Sequence, residues 1–243
     1  MRDSDERDFL ARSRYLELKY SDRRAPRTSY PILLAQWLLE HVYGETGRLL
    51  DLGSGRGDPL RAFAEVGFDV QGVDIAPRSA EMAGKLPVQI VDLEAEPLPF
   101  EPETFDAIFS KSVIEHVRAA ASFLAGARGV LRPAGRIAIL TPAWEYTYGR
   151  AFYSEYTHVR PFTRQSLAEA LTLAGFVDVE SSYFHQLPFL WRRPRLRPVA
   201  TAIRTLPLRY RPLDDDARWP PRLNTLIRFS KEVMLLGVGT RPS

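Results

Sequence analysis

The run Leu49-Leu50-Asp51-Leu52-Gly53-Ser54-Gly55-Arg56-Gly57-Asp58 decides the fold. An apolar strand ends in an acid, passes through a glycine-dense turn and leads into a helix. Glycine has no Cβ, so the backbone there can turn tightly and lie against a ligand. The amides at the N-terminus of the following helix point at the same place. A small-molecule site in the first third of the chain is therefore expected.

Outward from that run, strands and helices alternate. Strands are predicted over 48–52, 69–73 with Asp74 at its end, 88–91 with Asp92 at its end, 104–110 and 136–141. Helices are predicted over 58–66, 77–85 and roughly 113–129. This alternation implies an α/β fold, a doubly wound parallel sheet with helices on both faces. Upstream, apolar residues at helical spacing (Phe9, Leu10, Tyr15, Leu16, Leu18, then Ile32 to Val42) predict a helical cap over 1–45. Downstream, Thr163 is placed to cap a helix over 164–174 that ends at Gly175, and final strands are expected over 177–183 and 233–237. The domain expectation is a single unit, with its core over 46–186 and 229–243. Residues 187–228 are rich in Arg, Pro and aromatics without a clear period, and read as an insertion or lid.

Composition bounds the function. A chain of 243 residues suits one domain with a large core. No run approaches the roughly 18 apolar residues of a transmembrane helix, and the charged segment Met1-Arg2-Asp3-Ser4-Asp5-Glu6-Arg7 lacks the apolar core of a signal peptide. The expected location is cytoplasmic. The absence of cysteine excludes disulfides, thiolate nucleophiles and Cys-based zinc sites. A formal charge of +3 argues against nucleic acid as the main partner.

Three acids at three successive strand ends, Asp51, Asp74 and Asp92, can line a crevice at the carboxyl edge of the sheet, where open α/β sheets bind ligands. Asp74 can accept hydrogen bonds from adjacent ribose hydroxyls, and Asp92 from an amino group such as that of adenine. A dinucleotide-binding oxidoreductase is the main competitor within this fold. Its fingerprint places the third glycine three residues after the second, whereas here the glycines stand at 53, 55 and 57 behind an acid. A carboxylate at Asp51 suits a cationic amino-acid cofactor better than a pyrophosphate.

On these residues the chain resembles a class I S-adenosylmethionine-dependent methyltransferase of the small-molecule group that includes the ubiquinone and menaquinone methyltransferases. The matching pieces are Asp51 to Gly57, Gly72-Val73-Asp74-Ile75, Asp92-Leu93 with Leu98-Pro99-Phe100, Phe105 to Ser110 with Glu115-His116-Val117, Leu131 to Gly135, and Leu173 to Phe176. The resemblance implies a Rossmann-like sheet of seven strands with the last antiparallel. It also implies S-adenosylmethionine as cofactor. Gly53, Ser54 and Gly55 would then approach its methionine part, with Asp51 near the ammonium. Asp74 would take the ribose hydroxyls, Ile75 and Leu93 would pack at the adenine, Asp92 would accept from its amino group, and Ser110 with Lys111 would lie near the sulfonium.

The acceptor is expected to be a hydroxyl of a small metabolite, sugar or lipid-linked intermediate. Two alternatives stay open: an RNA or protein methyltransferase, and a catalytically inert cofactor-binding partner protein. A hydroxyl acceptor must lose a proton, and His158 and His116 are the candidate catalytic bases; His41 and His185 read as structural or rim residues. Tyr146, Tyr148, Phe152, Tyr153 and Tyr156 could wall an aromatic pocket or fill the core. The Arg-rich insertion could hold an anionic group of the acceptor, contact an anionic membrane peripherally through Val199, Ile203 and Leu206, or simply be solvated. No metal ligand set is expected, Asp214-Asp215-Asp216 reading as solvated acids. The oligomeric state is left open.

Overall fold

Apolar runs bounded by glycine and charged turns make the middle strands of the sheet. The computed structural model describes residues 26–149, 152–211 and 221–243. Its strands are β1 (Arg48–Leu52), β2 (Asp69–Asp74), β3 (Val88–Ile90), β4 (Phe105–Lys111), β5 (Leu131–Pro142), β6 (Val177–Phe184) and β7 (Met234–Thr240). They form a seven-stranded sheet in the order β3-β2-β1-β4-β5-β7-β6, with β7 antiparallel to both of its neighbours. The order reverses between β1 and β4, so the carboxyl ends of β1, β2 and β4 open onto one crevice. Register fixes the depth: Asp51 lies beside Gly72 and Phe109, and Leu52 beside Val73 and Ser110.

The helices are α1 (Tyr30–Leu38), α2 (Asp58–Glu65), α3 (Arg78–Ala83), α4 (Ala120–Val130), α5 (Trp144–Thr147), α6 (Arg164–Leu173), α7 (Pro188–Arg192), α8 (Arg197–Thr205) and α9 (Pro221–Lys231). Successive strand residues face opposite ways, and the strands split two cores accordingly. Ile108, Ile137 and Ile139 pack with Phe123 and Leu124 of α4 and Leu167 and Leu171 of α6. Phe109, Ala138 and Leu140 pack with Leu34 and Leu38 of α1 and Leu60 and Phe63 of α2.

Two elements depart from the periodicity reading. The continuous helix expected over 113–129 is broken. A 3₁₀ turn covers Ile114–His116, Val117 is extended, and α4 starts at Ala120. The Glu115 carbonyl is taken by the Val159 and Arg160 amides, so a long-range contact replaces the helical ladder there. The second departure is 187–228, which is largely helical where it is described. Its helices are short, and three of them (α7, the 3₁₀ turn Pro194–Leu196 and α8) open with proline in the first turn, where a missing N–H costs nothing. That punctuation erased the period. Leu187, Leu190 and Ala200 form a small core with Leu196, Leu226 and Phe229, and Trp191 packs against Tyr30, Trp37 and Phe184. The helices expected before residue 26, the acidic triplet at 214–216 and Trp219 lie outside the described residues. Among the described residues no helix is long and apolar enough to cross a membrane.

Thr163 caps α6 as expected, in a capping box with Ser166. Removing it orphans the Ser166 amide, so Thr163→Ala is expected to cost about 1 kcal/mol. Urea unfolding should show a lower midpoint at unchanged slope.

Candidate functional site

The turn leaving β1 is locked to the end of β2. The Gly53 and Ser54 amides both donate to the Val73 carbonyl, at 2.8 and 3.0 Å, and the Gly55 amide donates to Asp74 Oδ2 at 2.7 Å. Gly53 has φ +79°, and a Cβ there would stand 2.2 Å from Val113 Cγ2, so no larger residue fits. Backbone therefore forms the floor of a cleft with an empty volume of about 620 Å³ including its mouth.

One wall of this cleft carries Gly53, Asp74, Ile75, Asp92 and Leu93; the other carries Ser112, Val113, His116, Val117 and Thr157. Asp74 and Asp92 are both buried, and each also caps its own loop. Asp74 Oδ1 accepts from the Ala76 amide at 2.8 Å, and Asp92 Oδ1 from the Glu94 amide at 3.0 Å. A carboxylate oxygen has two lone pairs, so both acids keep acceptor capacity for a ligand.

Asp51 lies beneath the turn, 1 % exposed, and its Oδ2 has no hydrogen-bond partner among the described residues. Burial first, and then the charge of Asp74, push its pKa up to about 8. An anion placed there lacks a counter-charge that a ligand cation could supply. Asp51 is not itself among the residues lining the cleft; an ammonium group brought to the turn would meet that need, and a pyrophosphate would add to the repulsion. The residues present thus fit an amino-acid nucleoside cofactor.

Several predicted residues do not line the cleft. The Ser110 hydroxyl turns into the sheet and donates to the Leu52 carbonyl at 3.0 Å, because its position on β4 faces β1; Ser112 and Val113, two and three residues on, stand at the wall instead. Ser54 is buried under the turn, its hydroxyl unpartnered. Gly55 acts through its amide on Asp74. The aromatic wall expected from the loop after β5 is not built: Tyr148, Tyr153 and Tyr156 are exposed, and Phe152 is core. His41 stacks on Trp37, and His185 ends β6 where its carbonyl accepts from Trp191.

The two candidate bases come together. The His116 and His158 ring centroids are 4.6 Å apart. Burial and then the His158 ring push the His116 pKa down to about 4, so His116 is neutral at pH 7 and a weak base. Beneath them Glu115, missed by the sequence reading as a functional group, is fully buried and accepts from Thr141 Oγ1 at 2.8 Å. Burial raises its pKa to about 7 against that bond and against Lys111. Lys111 ends β4 with Nζ 4.8 Å from the Tyr30 ring centroid; burial lowers its pKa to about 8, opposed by Glu115 and reinforced by Arg228. The signal for Glu115 was an acid set between Ile114 and Val117 in an apolar register, which a surface helix would have exposed.

A doubly wound sheet with an acid–glycine turn at its switch point defines a nucleoside-cofactor protein, and comparison with known proteins narrows the class. Residues 50–139 match the family described as "Methyltransferase domain". A demethylmenaquinone methyltransferase of Tropheryma whipplei is 32 % identical over 144 residues, 57 % of this chain and 56 % of the relative. A ubiquinone biosynthesis O-methyltransferase of Cereibacter sphaeroides is 37 % identical over 95 residues, 36 % of this chain and 38 % of the relative. The chain thus spans about half or less of the length of these curated relatives. In fold, a Haloferax volcanii methyltransferase solved with the Trm112 methyltransferase activator superposes with a TM-score of 0.66 at 19 % identity, covering 98 % of this chain and 97 % of that one. Residues 50–139 thus resemble a methyltransferase domain, and the whole chain shares the fold of solved methyltransferases.

Asp51 makes the first test. The folded carboxyl titrates near pH 8, against about 4 in an unfolded chain. The native state therefore holds the extra proton between those values, and stability falls as pH rises through that window. Asp51→Asn is expected to raise the melting temperature more at pH 8 than at pH 5. The same change should weaken S-adenosylhomocysteine binding roughly 30-fold, the equivalent of about 2 kcal/mol for a lost charged hydrogen bond. In the unchanged protein, affinity should climb from pH 6 to pH 8, with about one proton released on binding in calorimetry across buffers.

Proposed function

We propose that this protein transfers the methyl group of S-adenosylmethionine to an oxygen of a small metabolite, sugar or lipid-linked intermediate. The observation that carries the reading is Asp51: a buried carboxylate with an oxygen unpaired among the described residues, two positions before Gly53, which lines a cleft that also bears Asp74 and Asp92. The relatives named for quinone biosynthesis support a small-molecule acceptor.

When bound, S-adenosylmethionine supplies an electrophilic methyl on a sulfonium that leaves as a neutral thioether. The chain's part is chiefly placement, which can contribute roughly 7–11 kcal/mol. In this reading Asp51 holds the cofactor's ammonium, Asp74 its ribose hydroxyls and Asp92 its adenine amino group. Gly53, Ser54 and Gly55 supply the close backbone, and Ile75 and Leu93 the apolar contacts. His158 and His116 are the imidazoles proposed to receive the acceptor's proton; burial makes His116 a weak base, and it lines the cleft where the acceptor would lie. The buried Lys111 and the nearby Arg228 would favour an acceptor oxygen that carries negative charge.

A second reading has a specific observation behind it. Val199 on α8 and Leu206 just after it are about half exposed, in the same stretch as Arg197 and Arg204. That pairing of apolar and cationic side chains suits peripheral contact with an anionic membrane, and with it a lipid-linked acceptor. Liposome flotation tests it. Retention on vesicles containing anionic lipid, and none on neutral vesicles, is expected; no lipid-dependent retention would end the idea.

For the main reading, titration with S-adenosylhomocysteine and with NADH separates it from a dinucleotide enzyme. Tight binding of the first and none of the second is expected, and the reverse would sink the proposal. Incubation with labelled S-adenosylmethionine and fractionated cell extract separates acceptor classes. Label should enter the small-molecule or lipid fraction rather than RNA or protein. His158→Ala should then lower turnover at least about a hundredfold.

A further inference from the structure

The sequence offers no metal-ligand spacing, yet the fold brings three lone-pair donors to one point. Glu115, His116 and His158 each present a ligand atom, and the three atoms lie within 4.8 Å of one another. His158 Nε2 stands 4.0 Å from Glu115 Oε1. We propose that these three side chains bind a divalent transition-metal ion, of the Zn²⁺ class, beside the cofactor cleft.

Tautomer geometry is the first support. His116 Nδ1 lies 3.2 Å from the Thr157 carbonyl, and His158 Nδ1 lies 2.7 Å from the Phe152 carbonyl. A carbonyl can only accept, so both Nδ1 atoms carry hydrogen, and in the neutral rings both Nε2 atoms are lone-pair nitrogens. A ring pinned through one nitrogen by a backbone carbonyl, with the other presented, is the usual state of a metal-ligating histidine.

The buried carboxylate is the second. Glu115 is fully buried; one of its oxygens accepts from Thr141, while Oε1, the one facing His158, has no hydrogen-bond partner among the described residues. A charged oxygen out of water and unpaired is costly, and a cation at the centre of the triad removes that cost. The site is also braced. The Val159 and Arg160 amides donate to the Glu115 carbonyl at 2.9 and 3.0 Å, tying the loop that carries His158 to the turn that carries the other two ligands.

Two imidazoles and one carboxylate select zinc and its first-row neighbours over calcium or magnesium. Tetrahedral zinc with ligands at about 2.0–2.1 Å places donor atoms about 3.3 Å apart. From atoms within 4.8 Å of one another, reaching that spacing requires the donors to close by up to about 1.5 Å. Three protein ligands leave a coordination position for water or substrate. His116 and Thr157 line the cleft, so that position belongs on the acceptor's side. An ion there would polarise an acceptor oxygen. This role rests on the oxygen-acceptor reading and takes the place of proton transfer to His158, whose Nε2 lone pair the ion would occupy; the binding itself does not rest on it.

The test is metal binding by the full chain, first stripped with chelator. Calorimetry with Zn²⁺ should show one site. Co²⁺ loading should give the visible ligand-field bands of a four- or five-coordinate ion. Glu115→Gln and His158→Ala should each weaken Zn²⁺ at least about tenfold, while His41→Ala leaves it unchanged. Circular dichroism shows whether each variant is folded. Should one fail to fold, histidine ring resonances of the unchanged protein decide instead, since Zn²⁺ must shift two of the four. No stoichiometric Zn²⁺ or Co²⁺ binding, or binding that survives both substitutions, would overturn the proposal; a proton shared by His158 and Glu115 would then be what joins them. S-adenosylhomocysteine titration of the same sample reports on the cofactor site separately.

Discussion

An acid held out of water without a partner organises this molecule. Asp51 stands at the end of a central strand with β2 on one side and β4 on the other, and its side chain lies under a backbone turn. Burial alone would favour the protonated form at neutral pH, and its neighbour Asp74 adds repulsion. Folding tolerates this because the strands around it are apolar on both faces and pay the cost through their packing. The position becomes useful only with a cation present. In the proposed role of Asp51, stability of the empty fold and affinity for an ammonium-bearing cofactor would oppose each other at one residue.

The same logic recurs at the far end of the cleft. Glu115 is buried behind the two histidines, with Thr141 satisfying one oxygen and nothing satisfying the other. Both sites sit at carboxyl ends of strands flanking the switch point, where the sheet's connections diverge and leave a gap. One gap offers an unpaired carboxylate beneath a glycine turn; the other offers one beneath two imidazoles. The two ends of the crevice thus differ in kind, one carboxylate lying under backbone and the other under two imidazoles.

The Arg- and aromatic-rich segment before β7 takes its place from packing. Trp191 wedges between Tyr30, Trp37 and Phe184, and Leu190 and Ala200 sit against α9 residues Leu226 and Phe229. Short proline-started helices can be held this way without a long amphipathic stripe. The segment thereby leans on α1 and brings Arg228 near Lys111.

Much of this was legible in the chain itself. The strand from Arg48 to Leu52, the acids closing the next two strands and the capped helix at Thr163 all follow from short-range chemistry: apolar alternation, glycine turns and a hydroxyl three residues from an amide. The cofactor class followed from Asp51 and the glycine spacing for the same reason. What local pattern could not reach was anything made by residues far apart. The break after Ile114 exists because Val159 and Arg160 claim the Glu115 carbonyl, and the inward turn of Ser110 depends on which strand lies beside it. The meeting of Glu115, His116 and His158 depends on a loop 42 residues further on returning to β4. Such contacts are set by loop closure and burial, which no window of sequence contains, so the chain determined the fold and the acid–glycine turn while the tertiary structure alone brought Glu115, His116 and His158 together.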